Sequence, residues 1–103
     1  MNQVKGGLKF MRFFGTLPKN DKFYSEIDDV LELIKVNPQI GNRIPYERIP
    51  KCYIAAYDIP NLFRVELSRG WRLVYSLTGK QDQKTIYVLE IFDHKNYEKR
   101  FGY

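Results

Sequence analysis

Three strand-like segments follow one another between Leu62 and Phe92, and they constrain the fold more than any other feature of the chain. The segments LFRVELS and WRLVYSL alternate between apolar and polar positions, as half-buried strands do. The third segment, KTIYVLEIF, is almost continuously apolar, which is typical of a central strand covered on both faces. Arg69–Gly70 and the stretch TGKQDQ separate the segments as short turns. Because turns this short join only antiparallel strands, the sequence predicts an antiparallel meander.

The clearest helix precedes the meander in the segment KNDKFYSEIDDVLELIKVNP. Its apolar residues recur at helical spacing and form one stripe: Phe23, Ile27, Val30, Leu31 and Ile34. Asn20 or Asp21 is the expected N-cap, and Pro38 is expected to end the helix. A helix that packs its stripe on a strand meander indicates an α+β fold. We therefore predict one domain, residues 1–103, with a small twisted antiparallel sheet and a helix or helices packed on one face.

The remaining segments are less regular. GGLKFMRFF is compatible with a short strand or an ordered arm. Pro45, Pro50 and Pro60 forbid a long helix in the connection before the meander, so we expect an irregular segment over the sheet with at most a short helix. The segment DHKNYEKRF predicts a short C-terminal helix or tail, with Asp93 as its N-cap.

Charge and composition limit the classes of function. The chain has 103 residues, a net charge of +5, and eleven Lys and Arg against seven Asp and Glu from Asn42 onward. This excess favours an anionic partner, with nucleic acid first. The single Cys52 cannot form an internal disulfide, and no Cys/His cluster indicates a metal, so we expect no metal and no cofactor. The chain has no signal-peptide pattern and no apolar run of membrane-spanning length, so we expect a soluble, cytoplasmic protein without a membrane partner.

The candidate site lies on the sheet face opposite the helix. The alternation places Arg64 and Arg72 together on neighbouring strands, because a slip of one residue would bury the charge of Arg72. The turn adds Arg69, and the segment after the last strand brings the only histidine toward the same edge. The expected result is a concave basic surface that holds an imidazole and a phenol, with these members: Arg64, Arg69, Arg72, His94, Lys95 and Tyr97.

Such a set suits cleavage of RNA, which supplies its own nucleophile, the 2′-hydroxyl. An arginine matches phosphate oxygens, and His94 is the side chain suited to proton transfer near neutral pH. Aromatic rings near the C-terminus are candidates for stacking on bases: Tyr97, Phe101 and Tyr103. Structural roles compete with each of these. The arginines can pair with Glu66, Glu90 or Asp93, His94 can face solvent, and Tyr97 and Phe101 can be a packing stripe.

These residues resemble the RelE/ParE superfamily of type II toxins. The stretch NLFRVELSRGWRLVYSL looks like the superfamily's strand, tight turn and strand with an Arg-aliphatic-aliphatic-Tyr core, and YVLEIFDHKNYEKRF looks like its last strand and basic tail. The resemblance implies a small twisted antiparallel sheet with helices on one face, cleavage of messenger RNA in the ribosomal A site without metal, and a cognate antitoxin as partner. Arg72 matches the mid-sheet arginine, His94 and Lys95 the basic pair, and Tyr97 the C-terminal tyrosine.

We therefore predict a metal-independent endoribonuclease toxin with two groups of site residues. The catalytic residues are Arg72, His94, Tyr97 and Lys95, and the RNA-binding residues are Arg64, Arg69, Lys51 and Arg48. Two alternatives stay open. One is a protein of the same fold that is not a nuclease, such as a ParE-like gyrase inhibitor or an inactive relic. The other is a basic nucleic-acid-binding module, which would bind RNA or DNA in a salt-dependent way.

Overall fold

The computed structural model describes residues 2–102, so the stacking role expected for Tyr103 lies outside the described residues. Five strands and four helices form in this part of the chain. In chain order they are β1 (Gln3–Gly6), α1 (Leu8–Thr16), α2 (Lys22–Val36), β2 (Asn42–Arg43), α3 (Lys51–Tyr57), β3 (Phe63–Glu66), β4 (Arg72–Lys80), β5 (Gln83–Phe92) and α4 (His94–Phe101).

The strands form one sheet in the order β1-β5-β4-β3-β2. The meander of β3, β4 and β5 is antiparallel, and the predicted α+β class is confirmed. The structure adds two edge strands, of which β1 runs parallel to β5 and makes the sheet mixed. With β1 on one side and β4 on the other, β5 is an interior strand, which explains its nearly continuous apolar sequence.

The expectation of a strand or arm over GGLKFMRFF is wrong for most of that segment, because residues 8–16 form α1. Strand β1 ends at Gly6, and the amide of the next residue, Gly7, donates to the Val88 carbonyl at 2.7 Å. A Cβ atom at Gly7 would lie 3.1 Å from that carbonyl oxygen, so glycine lets the chain approach β5 and then turn into the helix. Phe10 is buried while Phe13 and Phe14 are half-buried, which is a helical spacing of apolar side chains.

The predicted helix forms as α2, and its cap is Asp21, whose carboxylate accepts from the Phe23 amide at 2.8 Å. Ile27 and Ile34 are fully buried against the sheet. The sheet side of this core contains the predicted meander residues and their β5 neighbours: Phe63, Leu67, Leu73, Tyr75, Leu77, Ile86 and Val88. Each large aliphatic side chain in this layer stabilises the fold by roughly 1.5–3 kcal/mol through removal from water.

The structure also fills the opposite face with a second, smaller core. Tyr53 of α3 and Tyr97 of α4 pack there with Val74 and Leu89. The register between β4 and β5 shifts at Val74, so that Leu89 is an extra residue in the pairing. A bulge of this kind turns two successive residues toward one face. That places the side chain of Glu90, like that of Leu89, toward the layer of α3 and α4. Among the described residues, no helix is both long and apolar enough to cross a membrane.

Candidate functional site

The start of α4 places the only histidine beside the arginine of β4. Asp93 caps this helix by accepting from the Asn96 amide at 2.9 Å, as the sequence predicted, so His94 occupies the first helical position. In the sheet, Arg72 pairs with Phe92, two residues before the histidine. The strand register and the capped helix together bring the guanidinium and the imidazole to one end of the sheet.

Arg72 and His94 are in direct contact. Nη1 of Arg72 lies 2.8 Å from Nδ1 of His94 and donates to the carbonyl of Gly70 at 3.1 Å. The other ring nitrogen of His94, Nε2, lies 2.5 Å from Oε1 of Glu98. The imidazole therefore joins a guanidinium on one side to a carboxylate on the other.

Tyr97 lies beneath two guanidinium groups. Its ring centroid is 4.8 Å from Cζ of Arg72 and 5.7 Å from Cζ of Arg64, distances at which the π face attracts a cation. Arg64 also donates to the Tyr97 hydroxyl at 3.1 Å. Only 2% of Tyr97 is exposed, so in this structure its ring does not stack on a base, and it holds the two arginines in place instead. It also stacks on Phe101, as a helical packing stripe would.

Glu66 contacts both arginines through one carboxylate oxygen. Its Oε1 lies 3.8 Å from Nη2 of Arg64 and 4.0 Å from Nε of Arg72, and its side chain is 60% exposed. Contacts this long, made by a carboxylate that is mostly in water, stabilise a fold by about 1 kcal/mol or less. A phosphate group that binds the two guanidiniums could therefore displace this carboxylate at little energetic cost.

Only some of the predicted site residues lie together in the structure. The structure brings together Arg64, Arg72, His94 and Tyr97, and it places Lys95 exposed beside the histidine. The expectation that Arg69 joins them is wrong, because its guanidinium lies 5.2 Å from the Phe23 ring on the α2 side of the sheet. A left-handed backbone (φ 58°) at this turn residue accompanies that placement. Arg48 lies in a 3₁₀ turn and Lys51 begins α3, both exposed on the layer that includes α4.

Comparison with known proteins identifies the family. The model of the family described as "ParE toxin of type II toxin-antitoxin system, parDE" matches residues 8–97. The chain belongs to this toxin family. The match supports the RelE/ParE superfamily, as the strand and tail motifs indicated, and it implies a cognate antitoxin protein as a partner of the toxin.

A solved structure and a search of curated proteins complete the comparison. The fold is similar to that of a YoeB/ParE toxin from Agrobacterium tumefaciens, with a TM-score of 0.63 and 16% identity over 89% of this chain and 98% of that one. At this identity the similarity establishes the fold alone. No curated protein sequence matches the chain.

Sequence analysis of the toxin missed one carboxylate at the site, Glu98, and named the other, Glu66, as a possible partner of the arginines. Glu98 had a detectable signal, because it follows His94 by four residues in a predicted helix and therefore lies on the same side. Glu66 lies two residues after Arg64 on β3, so both side chains are on the same face, and it pairs with Arg72 on the neighbouring strand. Its position therefore also followed from the predicted register.

Another group of charges in the toxin is structural. Glu90, which the sequence offered as a possible partner of the site arginines, contacts Nη2 of Arg100 at 3.2 Å through Oε2. Burial, and then the nearby Glu90 carboxylate, raise the pKa of Tyr53 far above its usual range. Cys52 is exposed, and its Sγ lies 3.7 Å from Nη1 of Arg100.

A groove beside α4 is separate from the arginine–histidine contact. It has a volume of about 550 Å³ and lies beside the end of β5, lined in part by Phe13, Trp71, Asn96, Lys99 and Arg100. None of Arg64, Arg72 and His94 lines it, so the concave surface expected around them is not this groove. Within residues 2–102, no three His, Cys, Asp or Glu side chains come together as metal ligands.

Proposed function

We propose that this toxin is a metal-independent endoribonuclease that cleaves messenger RNA on the ribosome. The observation that supports this proposal is the 2.8 Å contact between Arg72 and His94. It unites an anion-binding group and a proton-transfer group, of which the Arg72 side chain is 17% exposed and the His94 side chain is 61% exposed. Arg64 adds a second guanidinium over the same tyrosine ring.

In the proposed reaction the 2′-oxygen of RNA attacks the adjacent phosphorus. His94 accepts the 2′-hydroxyl proton as the new bond forms, and Arg72 binds the phosphate oxygens, where negative charge accumulates. The bond to the 5′-oxygen then breaks, and Lys95, exposed beside His94, donates a proton to that oxygen. The products are a 2′,3′-cyclic phosphate and a free 5′-hydroxyl, and the residues regain their resting proton states by exchange with solvent.

Other cations bind the RNA backbone. Arg64 lies next to Arg72 and can hold the neighbouring phosphate, while Arg48 and Lys51 extend the positive surface along the α3 layer. Tyr97 keeps both guanidiniums in place from below. Arg69 lies away from this group, so we expect its contribution to RNA binding to be smaller.

A second candidate is inhibition of DNA gyrase. The family whose model matches the chain is that of ParE toxins. The superfamily resemblance implies that ParE-like members inhibit DNA gyrase. In that case Arg72 and His94 would help to shape a protein-binding surface, and RNA cleavage would be absent.

One experiment separates the two candidates. Wild-type toxin, Arg72→Ala and Arg12→Ala are expressed in a bacterial host, and growth, transcript ends and plasmid supercoiling are followed. Arg12 is an exposed cation of α1 and provides the matched control. We expect the wild type and the control to cleave transcripts and Arg72→Ala to lose roughly 10²–10³-fold in cleavage rate. Intact transcripts with altered supercoiling in the wild-type strain would refute the ribonuclease and favour gyrase inhibition.

A further inference from the structure

The two partners of His94 determine where its proton resides. Arginine has only donor groups, so Nδ1 of His94, 2.8 Å from Nη1 of Arg72, must be the acceptor in this contact. A carboxylate has only acceptors, so Nε2, 2.5 Å from Glu98, must bear the proton. The arrangement requires a neutral imidazole protonated on Nε2.

We propose that Glu98 is a positioning residue that fixes His94 in this tautomer and thereby makes Nδ1 the general base of the toxin. The catalytic part of this inference rests on the proposed ribonuclease function. In the free toxin the Nδ1 lone pair is occupied by Arg72. When Arg72 turns its N–H groups to a phosphate oxygen, Nδ1 becomes available beside the bound phosphate.

Proton transfer then follows a defined route. The 2′-hydroxyl proton moves to Nδ1 while the 2′-oxygen bonds to phosphorus, and the imidazole becomes an imidazolium with protons on both nitrogens. The Glu98 carboxylate stabilises that cation through Nε2–H and stays ionised, as the orienting carboxylate of a catalytic triad does. Substrate binding and activation of the base are thus one event, because the same guanidinium serves both.

The surroundings of the imidazole support a role in orientation. His94 and Glu98 are one helical turn apart on a helix whose start is capped by Asp93. A Cβ atom on Gly70 would lie 3.4 Å from Cβ of His94, so the turn between β3 and β4 lies next to the base of the histidine side chain. Both side chains of the pair are solvent-exposed, with 61% and 41% of their surfaces accessible. Exposed pairs stabilise folds weakly, so substitution of Glu98 should leave the protein folded.

The tautomer can be measured directly because His94 is the only histidine. The imidazole ¹⁵N resonances are recorded at alkaline pH for the wild type and, because Arg72 itself donates to Nδ1, for Arg72→Ala alone and combined with Glu98→Ala or with the control Glu32→Ala. Glu32 is an exposed carboxylate of α2. We expect Nε2–H in the wild type, in Arg72→Ala and in Arg72→Ala/Glu32→Ala, and a mixture of both tautomers in Arg72→Ala/Glu98→Ala. An Nδ1–H ring in the wild type, or the same tautomer with and without Glu98 in the Arg72→Ala background, would overturn the proposal.

Cleavage kinetics on ribosome-bound messenger RNA test the catalytic part. We expect Glu98→Gln to lower kcat by roughly 10- to 100-fold, a portion of the roughly 10²–10⁴-fold that a positioned acid or base contributes, with KM unchanged. Glu98→Asp should recover part of the loss, whereas Glu32→Ala should match the wild type. An unchanged kcat in Glu98→Gln would refute the positioning role in catalysis. Absence of cleavage by the wild type would refute the ribonuclease instead, and the resonances would still decide the tautomer.

Discussion

Replacement of Arg100 by methionine tests whether the structural ion pair stabilises the second core. The change keeps an apolar stem over Tyr53 and Phe92 and removes the cation 3.2 Å from Glu90. Only 9% of the Glu90 side chain is exposed, so the variant leaves a charged carboxylate buried without its partner. Loss of one member of a buried pair costs about 3–5 kcal/mol.

The structure places the expected cost at the lower end of that range. The Arg100 side chain is 30% exposed, so water already weakens its interaction with Glu90. We expect Arg100→Met to lower the free energy of unfolding by about 3 kcal/mol, which corresponds to a Tm lower by roughly 12–24 °C for a domain of about this size. Glu90→Leu should cost less, because the partly exposed guanidinium it leaves behind can turn to solvent.

Urea unfolding followed by fluorescence of Trp71, the only tryptophan, measures these changes. The double variant Glu90→Leu/Arg100→Met should recover most of the stability that Arg100→Met loses, because it buries neither charge. Lys99→Met, an exposed neighbour, is the control for loss of one positive charge. A loss below about 1 kcal/mol in Arg100→Met, or no recovery in the double variant, would refute this account of the pair.

Three further predictions concern the site and the core. Glu66→Gln should strengthen binding of inorganic phosphate by roughly 2- to 5-fold in a calorimetric titration, because it removes the anion beside Arg64 and Arg72; weaker binding would contradict the anion-site assignment. Tyr53 has a raised pKa when folded, so the unfolded chain ionises first and stability falls above about pH 10 by about 1.4 kcal/mol per pH unit. Tyr53→Phe should reduce that slope in alkaline unfolding, and an identical slope would disprove the linkage. Ile27→Ala, at a position with 0% exposure, should cost about 2–5 kcal/mol in urea unfolding, and a cost under 1 kcal/mol would contradict its place in the core.

Local patterns predicted the regular elements well for a physical reason. The α2 stripe and the strand alternation each follow from the period of one element, and Asp21 and Asp93 cap the helices they precede. The N-terminal segment was harder to predict. Its strand is only four residues long and pairs in parallel with the far end of the chain, a contact that no local period encodes.

The candidate site was predicted in part. Alternation placed Arg64 and Arg72 on one face, and in the structure both guanidinium groups lie over the Tyr97 ring. It could not place Arg69, because a left-handed turn residue breaks the alternation that the prediction used. The catalytic and stacking roles predicted for Tyr97 need an accessible group, whereas the helix that bears it packs on the sheet and buries the ring, as the alternative of a packing stripe required.

The sequence by itself determined that a helix with one apolar stripe packs on an antiparallel meander. It also determined that the excess positive charge of the chain lies toward the C-terminus. Both follow from the sequence because periodicity and charge are properties of short segments. Only the tertiary structure decided that His94 lies between Arg72 and Glu98. That placement depends on the pairing of β4 with β5, on the bulge at Leu89 and on the direction in which α4 leaves the sheet. Each of these is fixed by packing between residues distant in the chain.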